Sequence, residues 1–322
     1  MIIPERSQTL ATLPVYKLKN GAWAGINITF YGFFCATAEA TAVVVAFFLL
    51  TASGVSSGSA GLLIASLLCA CLPAARWVAR LVDGRPYNFS VAGAAGVGML
   101  VLPLLVTGLE IAGLKLPAAA VFAAFAIAYV LGEAIGRIAC ISFGCCYGKP
   151  IRDLSPWLKT VFQKFHFVFE GRTKKIAVES KLDGVAVVPI QAVTGSLYLI
   201  LAVTGTIVFL SGAAIKAFLF TSTCAHVWRI ISESLRADHR GAGKYSVYQF
   251  IAADAIAYSW AISCFLTESP TPPDIWAGLQ ALWQPQVILS VQAFWLIVFW
   301  YHGKSMVTDS EIVIRVREDR LI

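Results

Sequence analysis

The sequence predicts an all-helical integral membrane protein, a bundle of seven or eight transmembrane helices that forms a single domain over residues 1–322. Of its residues, 58% are hydrophobic and only 13% are charged, whereas a soluble domain carries roughly 25% charged residues. The mean hydropathy is +0.75. Apolar runs of about 20 residues, the length that crosses the hydrocarbon core of a bilayer, recur along the chain.

Eight apolar segments are long enough to be spans. They are residues 29–52, 60–79, 89–109, 117–139, 190–211, 213–234, 247–266 and 284–302. The second is the weakest candidate, because Arg76 and Arg80 fall near its end. The residues before the first span include Arg6 and Lys17 but no apolar core, so no cleavable signal peptide is expected.

A long polar stretch, residues 147–189, separates the fourth span from the fifth. Its segment 175–188 alternates weakly between apolar and polar residues, and Asp183-Gly184 is a typical turn for a two-stranded hairpin. We therefore expect a small extramembrane insertion at 147–189, a lid or a hairpin, rather than a second folded domain.

The basic residues are distributed unevenly between the two faces of the predicted bundle. One set of loops, residues 1–28, 74–88, 147–189, 236–246 and 303–322, holds 21 Lys and Arg residues, and the opposite set holds two. Cytoplasmic loops carry such an excess, so both termini and the insertion are predicted to face the cytoplasm. The net charge of +7 lies in loops where anionic lipid headgroups would meet it. No nucleic-acid partner is expected.

Ionisable residues within the apolar segments mark the candidate site, because such groups are costly in a bilayer and are functional by default. Near the end of the fourth span, Glu133, Arg137 and Cys140 are spaced by four and three residues. This spacing places them on one face of a helix. The segment then continues with the letters GCCYGKP at 144–150.

The sixth span carries a second set of polar residues. His226, Arg229, Glu233 and Arg236 are spaced by three, four and three, so they share one helical face. Arginine binds phosphate oxygens bidentately, which favours a site for an anionic lipid. An interhelical ion-pair network, with arginines that reach toward the headgroups, explains the same pattern. Both interpretations stay open.

Three cysteines close to Arg137 allow three interpretations. A zinc site formed by Cys140, Cys145 and Cys146 with His226 is the weakest, because C-x4-C-C is not a usual ligand spacing. No metal or other cofactor is therefore predicted. A nucleophilic thiolate is the second, since a nearby cation lowers the pKa of a thiol. Packing in a tight, glycine-flanked turn is the third.

Small and polar residues elsewhere in the spans have structural explanations. The run around Gly93 and Gly96 permits close helix contact or a close approach of the backbone to a ligand, and helix packing is favoured. Glu39, Gln191 and Asp254 are interpreted as hydrogen-bonded groups within the bundle.

Short motifs follow one another along most of the membrane domain. They are FYG at 30–32, SVAGAAG at 90–96, GRI at 136–138 with YGKP at 147–150, DLSPW at 153–157, PIQ at 189–191, RIISESLR at 229–236 and SVYQ at 246–249. In this order they resemble the motifs of the prolipoprotein diacylglyceryl transferase family.

The resemblance implies a transferase of the bacterial inner membrane. It would bind an anionic, phosphatidylglycerol-like lipid in a central cavity and transfer the diacylglyceryl group to an acceptor thiol, by family default the cysteine of a prolipoprotein. By position, Arg137 and Arg229 would hold the lipid phosphate and stabilise the leaving group. Glu233 would orient an arginine or act as a base, and Arg236 would support the headgroup side. Further candidates for substrate binding are Tyr31, Gly93, Gly96, Cys140, Tyr147 and Gln191.

The chain departs from the family pattern at its polar positions. The family's histidine is Ala92 here, and His226 is a candidate substitute. The signature Asn, Asn and Glu after the arginine are Cys140, Phe143 and Cys145. Three alternatives follow: a transferase with a different acceptor on the cytoplasmic side, a non-catalytic lipid-binding or transport protein, and an enzyme that uses Cys145 or the adjacent Cys146 as a lipid carrier.

Overall fold

Long helices form most of the molecule, a computed structural model that describes residues 1–17, 19, 21, 23–84, 89–238 and 245–304. In chain order the helices are α1 (Phe30–Ala52), α2 (Ser57–Asp83), α3 (Val91–Ile111), α4 (Ala118–Phe143), α5 (Pro156–Lys164), α6 (Lys175–Ser180), α7 (Ile190–Leu210), α8 (Ala214–Ser234), α9 (Val247–Ser263), α10 (Ile275–Leu282) and α11 (Pro285–Gly303). Parts of three basic loops used in the charge argument, at 85–88, 239–244 and 305–322, lie outside the described residues.

Each of the eight predicted spans coincides with a long helix. Six of these helices, α1, α2, α3, α4, α7 and α11, are long and apolar enough to cross a membrane. The helix α9 has only 17 residues, and the polar face of α8 lowers its hydropathy. The prediction of a multi-pass helical membrane protein is confirmed, whereas the count of seven or eight spans stays a prediction.

The helix α4 lies at the centre of the bundle and packs against α1, α7 and α8. Its many alanines allow this close approach, because small side chains let helix backbones come together. At one contact with α7, a Cβ added to Gly195 would lie 3.2 Å from the carbonyl oxygen of Ala134 and 3.4 Å from the Cβ of Arg137. The outer helices expose large apolar side chains, among them Leu104 and Ile207, as expected of a surface that faces lipid.

Two small sheets stand outside the helical bundle. Of their strands, only β5 (Ala186–Val187) lies within a segment, 175–188, for which the sequence predicted a hairpin. A hairpin of β2 (Thr9–Lys17) and β3 (Trp23–Thr29) precedes α1. The other sheet has three strands, with β4 (Phe167–Phe169) between β1 (Ile2–Ile3) and β5. The strand β4 is parallel to β1 and antiparallel to β5. The N-terminal residues therefore complete the sheet of the 147–189 insertion.

The insertion differs from the predicted hairpin. Residues Lys175–Ser180 form α6 rather than a strand, and the partner of β5 is β4, on the far side of that helix. The physical reason is packing: Phe167, Phe169 and Ile176 bury their side chains in one small core with Tyr147. The chain does turn at Asp183-Gly184, where Gly184 has a positive φ of 70°. Burial of these side chains, and not the weak alternation, determines which segment β5 pairs with.

A buried lysine joins the N-terminal segment, the insertion and the end of α4. The ammonium group of Lys174 donates to the Ser7 hydroxyl (2.7 Å) and to the carbonyl oxygen of Ser142 (2.6 Å), and its side chain is fully buried. Burial lowers the pKa of Lys174 to about 7, while the nearby carboxylate of Glu5 opposes the shift. These contacts fix the turn that follows α4, where the candidate site begins.

Candidate active site

Three buried arginines line one cavity, which we call the arginine cleft. Arg137 comes from α4, Arg229 from α8, and Arg236 lies just beyond the end of α8. The other residues of the cleft are Cys146, Ile190, Gln191, Thr194 and Ser232. The cleft is narrow: its volume is about 250 Å³ when counted out to its open side, and its interior has room for little more than a single water molecule.

The ion pairs of these arginines join residues that are close in sequence. Arg137 pairs with Glu133 one turn earlier on α4. On α8, a carboxylate oxygen of Glu233 lies 3.9 Å from Arg229 Nε and 3.8 Å from Arg236 Nη1. Two cationic side chains thus face one cavity from different helices. Of the two interpretations of the sequence, this arrangement favours an anion site over an ion-pair network that joins the helices.

Some hydrogen-bonding capacity of the arginines is unused in this conformation. The Nε atoms of Arg137 and Arg229 are buried and have no hydrogen-bond partner. A buried donor without a partner costs free energy, and an anion with several acceptor oxygens would remove that cost. By contrast, Arg236 is held by Asp238 through two hydrogen bonds of 2.8 and 2.6 Å.

A short backbone ladder fixes the ends of α4 and α8 relative to each other. The N–H of Lys149 donates to the carbonyl oxygen of Leu235 (2.8 Å), and that of Ala237 donates to Tyr147 (3.1 Å). On its other side the same segment accepts a hydrogen bond from Val188 N–H (3.0 Å). Gly148 is required there, because an added Cβ would collide with the backbone of Val188. The segment 147–150 (YGKP) therefore connects the end of α8 to the chain before α7 through backbone hydrogen bonds.

The thiols of Cys140, Cys145 and Cys146 form a compact group, which we call the thiol cluster. Their sulfur atoms all lie within 4.8 Å of one another, and those of Cys140 and Cys146 are 3.8 Å apart. The turn that gathers them has positive φ at Gly144 (74°) and at Cys146 (54°). Of the three, Cys146 lines the arginine cleft.

The pKa values of the Cys145 and Cys146 thiols are shifted in opposite directions. Hydrogen bonds from the Cys140 and Cys145 thiols lower the pKa of Cys146, and Arg236 and Arg137 lower it further, against the effect of burial. Hydrogen bonds with Cys140 and Cys146, together with burial, raise the pKa of Cys145. The lowered pKa of Cys146 favours the thiolate form at the edge of the cleft, which is compatible with the second interpretation of the sequence.

A larger apolar cavity adjoins α8 on the side of His226. Helices α1, α2, α3, α4, α8 and α9 line it, and its volume is about 1100 Å³ when counted out to its open side. His226 lies in its wall, stacks on Tyr129 at 6.2 Å, and donates from Nδ1 to the carbonyl oxygen of Ser222 (2.7 Å). This bond leaves Nε2 as the acceptor nitrogen of a neutral ring.

The family model described as prolipoprotein diacylglyceryl transferase matches residues 22–265. The chain belongs to the prolipoprotein diacylglyceryl transferase family. A comparison with individual curated proteins gave no match. The protein is therefore a multi-pass membrane transferase of the diacylglyceryl-transfer class, and the resemblance identified from the sequence motifs is confirmed.

The remaining candidate residues of this diacylglyceryl transferase family member have varied positions. Gln191 lines the cleft and donates to the carbonyl oxygen of Cys145 (2.9 Å). Tyr31 packs beside the thiol cluster, with its ring 5.4 Å from that of Phe143. Tyr147 points away from the cleft into the core of the insertion, where its hydroxyl lies 2.5 Å from Ser180 Oγ.

The two glycine candidates lie outside both cavities. A Cβ on Gly93 would come within 2.5 Å of Val78 on α2, and one on Gly96 within 3.2 Å of Ile251 on α9. The helix-packing interpretation therefore explains them, although their neighbours on α3 do line the apolar cavity. Sequence reasoning missed Asp238 and Thr194, because neither continues the helical spacing that identified the arginines.

Proposed function

We propose that this transferase binds an anionic glycerophospholipid such as phosphatidylglycerol, with the phosphodiester in the arginine cleft and acyl chains in the apolar cavity. The observation that carries the proposal is that Arg137 and Arg229, on different helices, line one cavity and hold buried Nε donors without partners. The apolar cavity approaches the cleft through α8, since His226 and Arg229 are three residues apart on one helical face.

The reaction would transfer the diacylglyceryl group to a thiol. The thiolate attacks the glycerol carbon that bears the phosphate, an S–C bond forms, and the C–O bond breaks with its electron pair on the phosphate oxygen. Arg137 and Arg229 would stabilise the charge that develops on the released glycerol phosphate, since fixed donors act strongly in a site without bulk water. Glu233 would hold Arg229 and Arg236 in position.

The identity of the proton acceptor is a separate part of the proposal. Glu233 is already paired with two arginines, which favours a positioning role for it. His226 presents a neutral acceptor nitrogen but lines the apolar cavity and not the cleft. His226 stays the candidate base in this proposal, because Ala92 occupies the position of the family's histidine.

We further propose a cytoplasmic orientation in a bacterial inner membrane. The insertion, the N-terminal strand and the end of α11 lie on one face of the bundle, where Met1 N bonds to the His166 carbonyl (2.9 Å) and Ile28 pairs with Lys304. The loops of that face are the basic ones, as cytoplasmic loops are. The acceptor is then a thiol that reaches this face, with a prolipoprotein cysteine as the family default.

The proposal is tested with purified protein in vesicles that contain phosphatidylglycerol labelled in its headgroup glycerol. A peptide with the cysteine of a bacterial prolipoprotein serves as acceptor, and the same peptide with serine in its place serves as control. We expect release of labelled glycerol phosphate and a thioether-linked diacylglyceryl peptide with the cysteine peptide only.

Two results would contradict the proposed reaction. Lipid binding without glycerol phosphate release, across prolipoprotein peptides and small cytoplasmic thiols, would favour a lipid-binding protein. A diacylglyceryl adduct that forms on Cys145 or Cys146 during turnover, detected by mass spectrometry, would instead assign the cysteine pair as a lipid carrier.

A further inference from the structure

The thiol cluster places three metal-ligating side chains together at the edge of the arginine cleft. Among the residues that the structure describes, no fourth His, Cys, Asp or Glu joins this group. We propose that Cys140, Cys145 and Cys146 form a three-thiolate site for a thiophilic cation such as Zn²⁺, with an open fourth position toward the arginine cleft.

The separations of the sulfur atoms fit such a site. With Zn–S bonds of about 2.3 Å, two ligands of a tetrahedral site lie about 3.8 Å apart. Cys140 and Cys146 are already 3.8 Å apart, and no pair in the cluster exceeds 4.8 Å. The longest separation would have to shorten by about 1 Å at most to reach the ligand spacing of zinc.

Spacing in the sequence disfavoured this site because C-x4-C-C does not match a linear zinc motif. The structure removes that objection. The left-handed conformations of Gly144 and Cys146 reverse the chain immediately after α4 and return the cysteine pair to Cys140. His226, the fourth ligand considered from the sequence, does not belong to the group and stacks on Tyr129 instead.

The charges around the cluster suit an anionic metal complex. Three thiolates and one divalent cation carry a single net negative charge. Arg137 and Arg236 lie close enough to Cys146 to interact with its charge, and Lys175 does so with both Cys145 and Cys146. Soft thiolate ligands select Zn²⁺ or Cu⁺ over hard cations such as Mg²⁺ and Ca²⁺.

The cluster borders two different environments. Cys140 and Cys145 pack with the rings of Tyr31 and Phe143, so the groups on that side are aromatic. Cys146 lines the arginine cleft. Catalytic zinc sites keep three protein ligands and leave one position open to water or substrate, and here the open position would meet the lipid phosphate site.

The use of that position rests on the proposed function. The acceptor thiol would bind the metal, and a thiol that coordinates a metal is deprotonated outright. Its proton passes to solvent, its sulfur forms the bond to the glycerol carbon, and the C–O electron pair leaves on the glycerol phosphate. The metal keeps its oxidation state throughout. The metal would thus deprotonate the acceptor thiol without a base at position 92, where this chain has Ala92 instead of the family's histidine.

Binding is tested on the reduced, full-length protein with Co²⁺ in place of Zn²⁺. We expect about one tightly held Co²⁺ per chain, with thiolate-to-metal charge-transfer absorption and the visible bands of tetrahedral cobalt. Cys140→Ser and Cys146→Ser should each lower the affinity at least about tenfold. The control variants Cys69→Ser and Cys264→Ser, at exposed cysteines away from the cluster, should bind as the wild type does.

A second measurement needs no variant. Zn²⁺ should protect Cys140, Cys145 and Cys146 of the wild-type protein from alkylation, as quantified by peptide mass spectrometry, and should leave Cys69 and Cys264 unchanged. Equal alkylation with and without Zn²⁺, or cobalt binding by Cys140→Ser at the wild-type level in a folded protein, would overturn the site.

Activity separates the site from its proposed use. Removal of the metal with a chelator under reducing conditions should slow diacylglyceryl transfer about tenfold or more, and Zn²⁺ should restore it. Chelated protein that transfers at the full rate would overturn thiol activation by the metal and return that role to a base such as His226. Stoichiometric metal without lipid transfer to any acceptor would support the site and overturn the proposed reaction.

Discussion

Arg137 and Arg229 are the residues on which the proposed chemistry depends. Each has an acidic neighbour on its own helix, yet each keeps a buried Nε without a hydrogen-bond partner at the shared cleft. Lysine would preserve the charge at either position but not the planar, bidentate fork that matches phosphate oxygens. Substitution by alanine removes both the charge and the fork, whereas substitution by lysine removes the fork alone. A comparison of the two therefore separates the effect of charge from that of geometry.

We expect Arg137→Ala and Arg229→Ala each to lower the rate of diacylglyceryl transfer at least about a hundredfold. Arg137→Lys and Arg229→Lys should recover only part of this loss. Arg152→Ala, at an arginine exposed on the insertion, is the matched control and should retain wild-type turnover. Activity within about tenfold of wild type in either alanine variant, with the fold intact, would contradict the assigned roles.

Lys174 predicts a pH dependence of stability. Its pKa of about 7 in the folded protein lies below the ordinary 10.5, so between these values the unfolded chain binds a proton that the folded chain does not. Stability therefore rises with pH from about 7 to about 10. The thermal unfolding midpoint of wild type relative to Lys174→Met should increase over this range. Lys164→Met, at an exposed lysine, should follow the wild type.

A constant difference between Lys174→Met and wild type across the same range of pH would contradict the lowered pKa of the buried amine. The measurement is best made by intrinsic fluorescence in one detergent at several pH values, so that only protonation changes.

Residue spacing revealed some of these features and hid others. The three-and-four spacing of Arg229, Glu233 and Arg236 predicted one helical face, and the structure places both arginines at one cleft. The thiol cluster was hidden, because it forms through two left-handed residues after a helix end. No periodic pattern predicts such a turn. Lys174 was hidden for a related reason, since its partners lie far away in sequence.

The segment Tyr147–Lys149 is the element that holds the site together. It is hydrogen-bonded to the end of α8 on one side and to the chain before α7 on the other. Its central glycine leaves no room for a side chain. A change at that residue should therefore alter stability and the position of Arg236 together.

We expect Gly148→Ala to destabilise the protein by about 1–3 kcal/mol, because the added methyl group overlaps the backbone of Val188. Transfer activity should fall as the ladder to Arg236 is displaced. Gly108→Ala on α3 is the matched control, since its Cβ meets open space, and it should be unchanged or more stable by up to about 1 kcal/mol. Equal unfolding midpoints for the two variants would contradict the close approach.

Helices were predictable here where strands were not. A run of about 20 apolar residues has few alternatives in a bilayer, and every predicted span is a helix. The strands β1, β4 and β5 have only two or three residues each, too few for an alternating pattern to show. Their pairing depends on burial of Phe167 and Phe169 against distant parts of the chain.

At the scale of the whole molecule, the proposed orientation determines which acceptors reach the site. The insertion and the N-terminal strand share one face, for which the proposed orientation is cytoplasmic because the predicted loops of that side are basic. Two surface positions on opposite faces test this assignment. Ser155 immediately precedes α5 on the insertion, and Thr271 lies in the proline-rich loop between α9 and α10.

We expect a membrane-impermeant thiol reagent, applied to intact cells, to label Thr271→Cys and not Ser155→Cys. Both variants should be made in a background in which the exposed Cys69 and Cys264 are serine, and both should be labelled after lysis. Labelling of Ser155→Cys in intact cells would place the insertion outside and make exported prolipoproteins the accessible acceptors.

The narrow interior of the arginine cleft has a practical consequence for anyone who assays the protein. Room for little more than a single water molecule means that a bulky headgroup must displace side chains on entry, whereas inorganic phosphate or sulfate needs far less rearrangement. Such buffer ions should compete with the donor and raise its apparent KM without changing kcat. At donor concentrations below KM, the rate in a phosphate buffer should accordingly be lower than in a zwitterionic buffer of the same ionic strength.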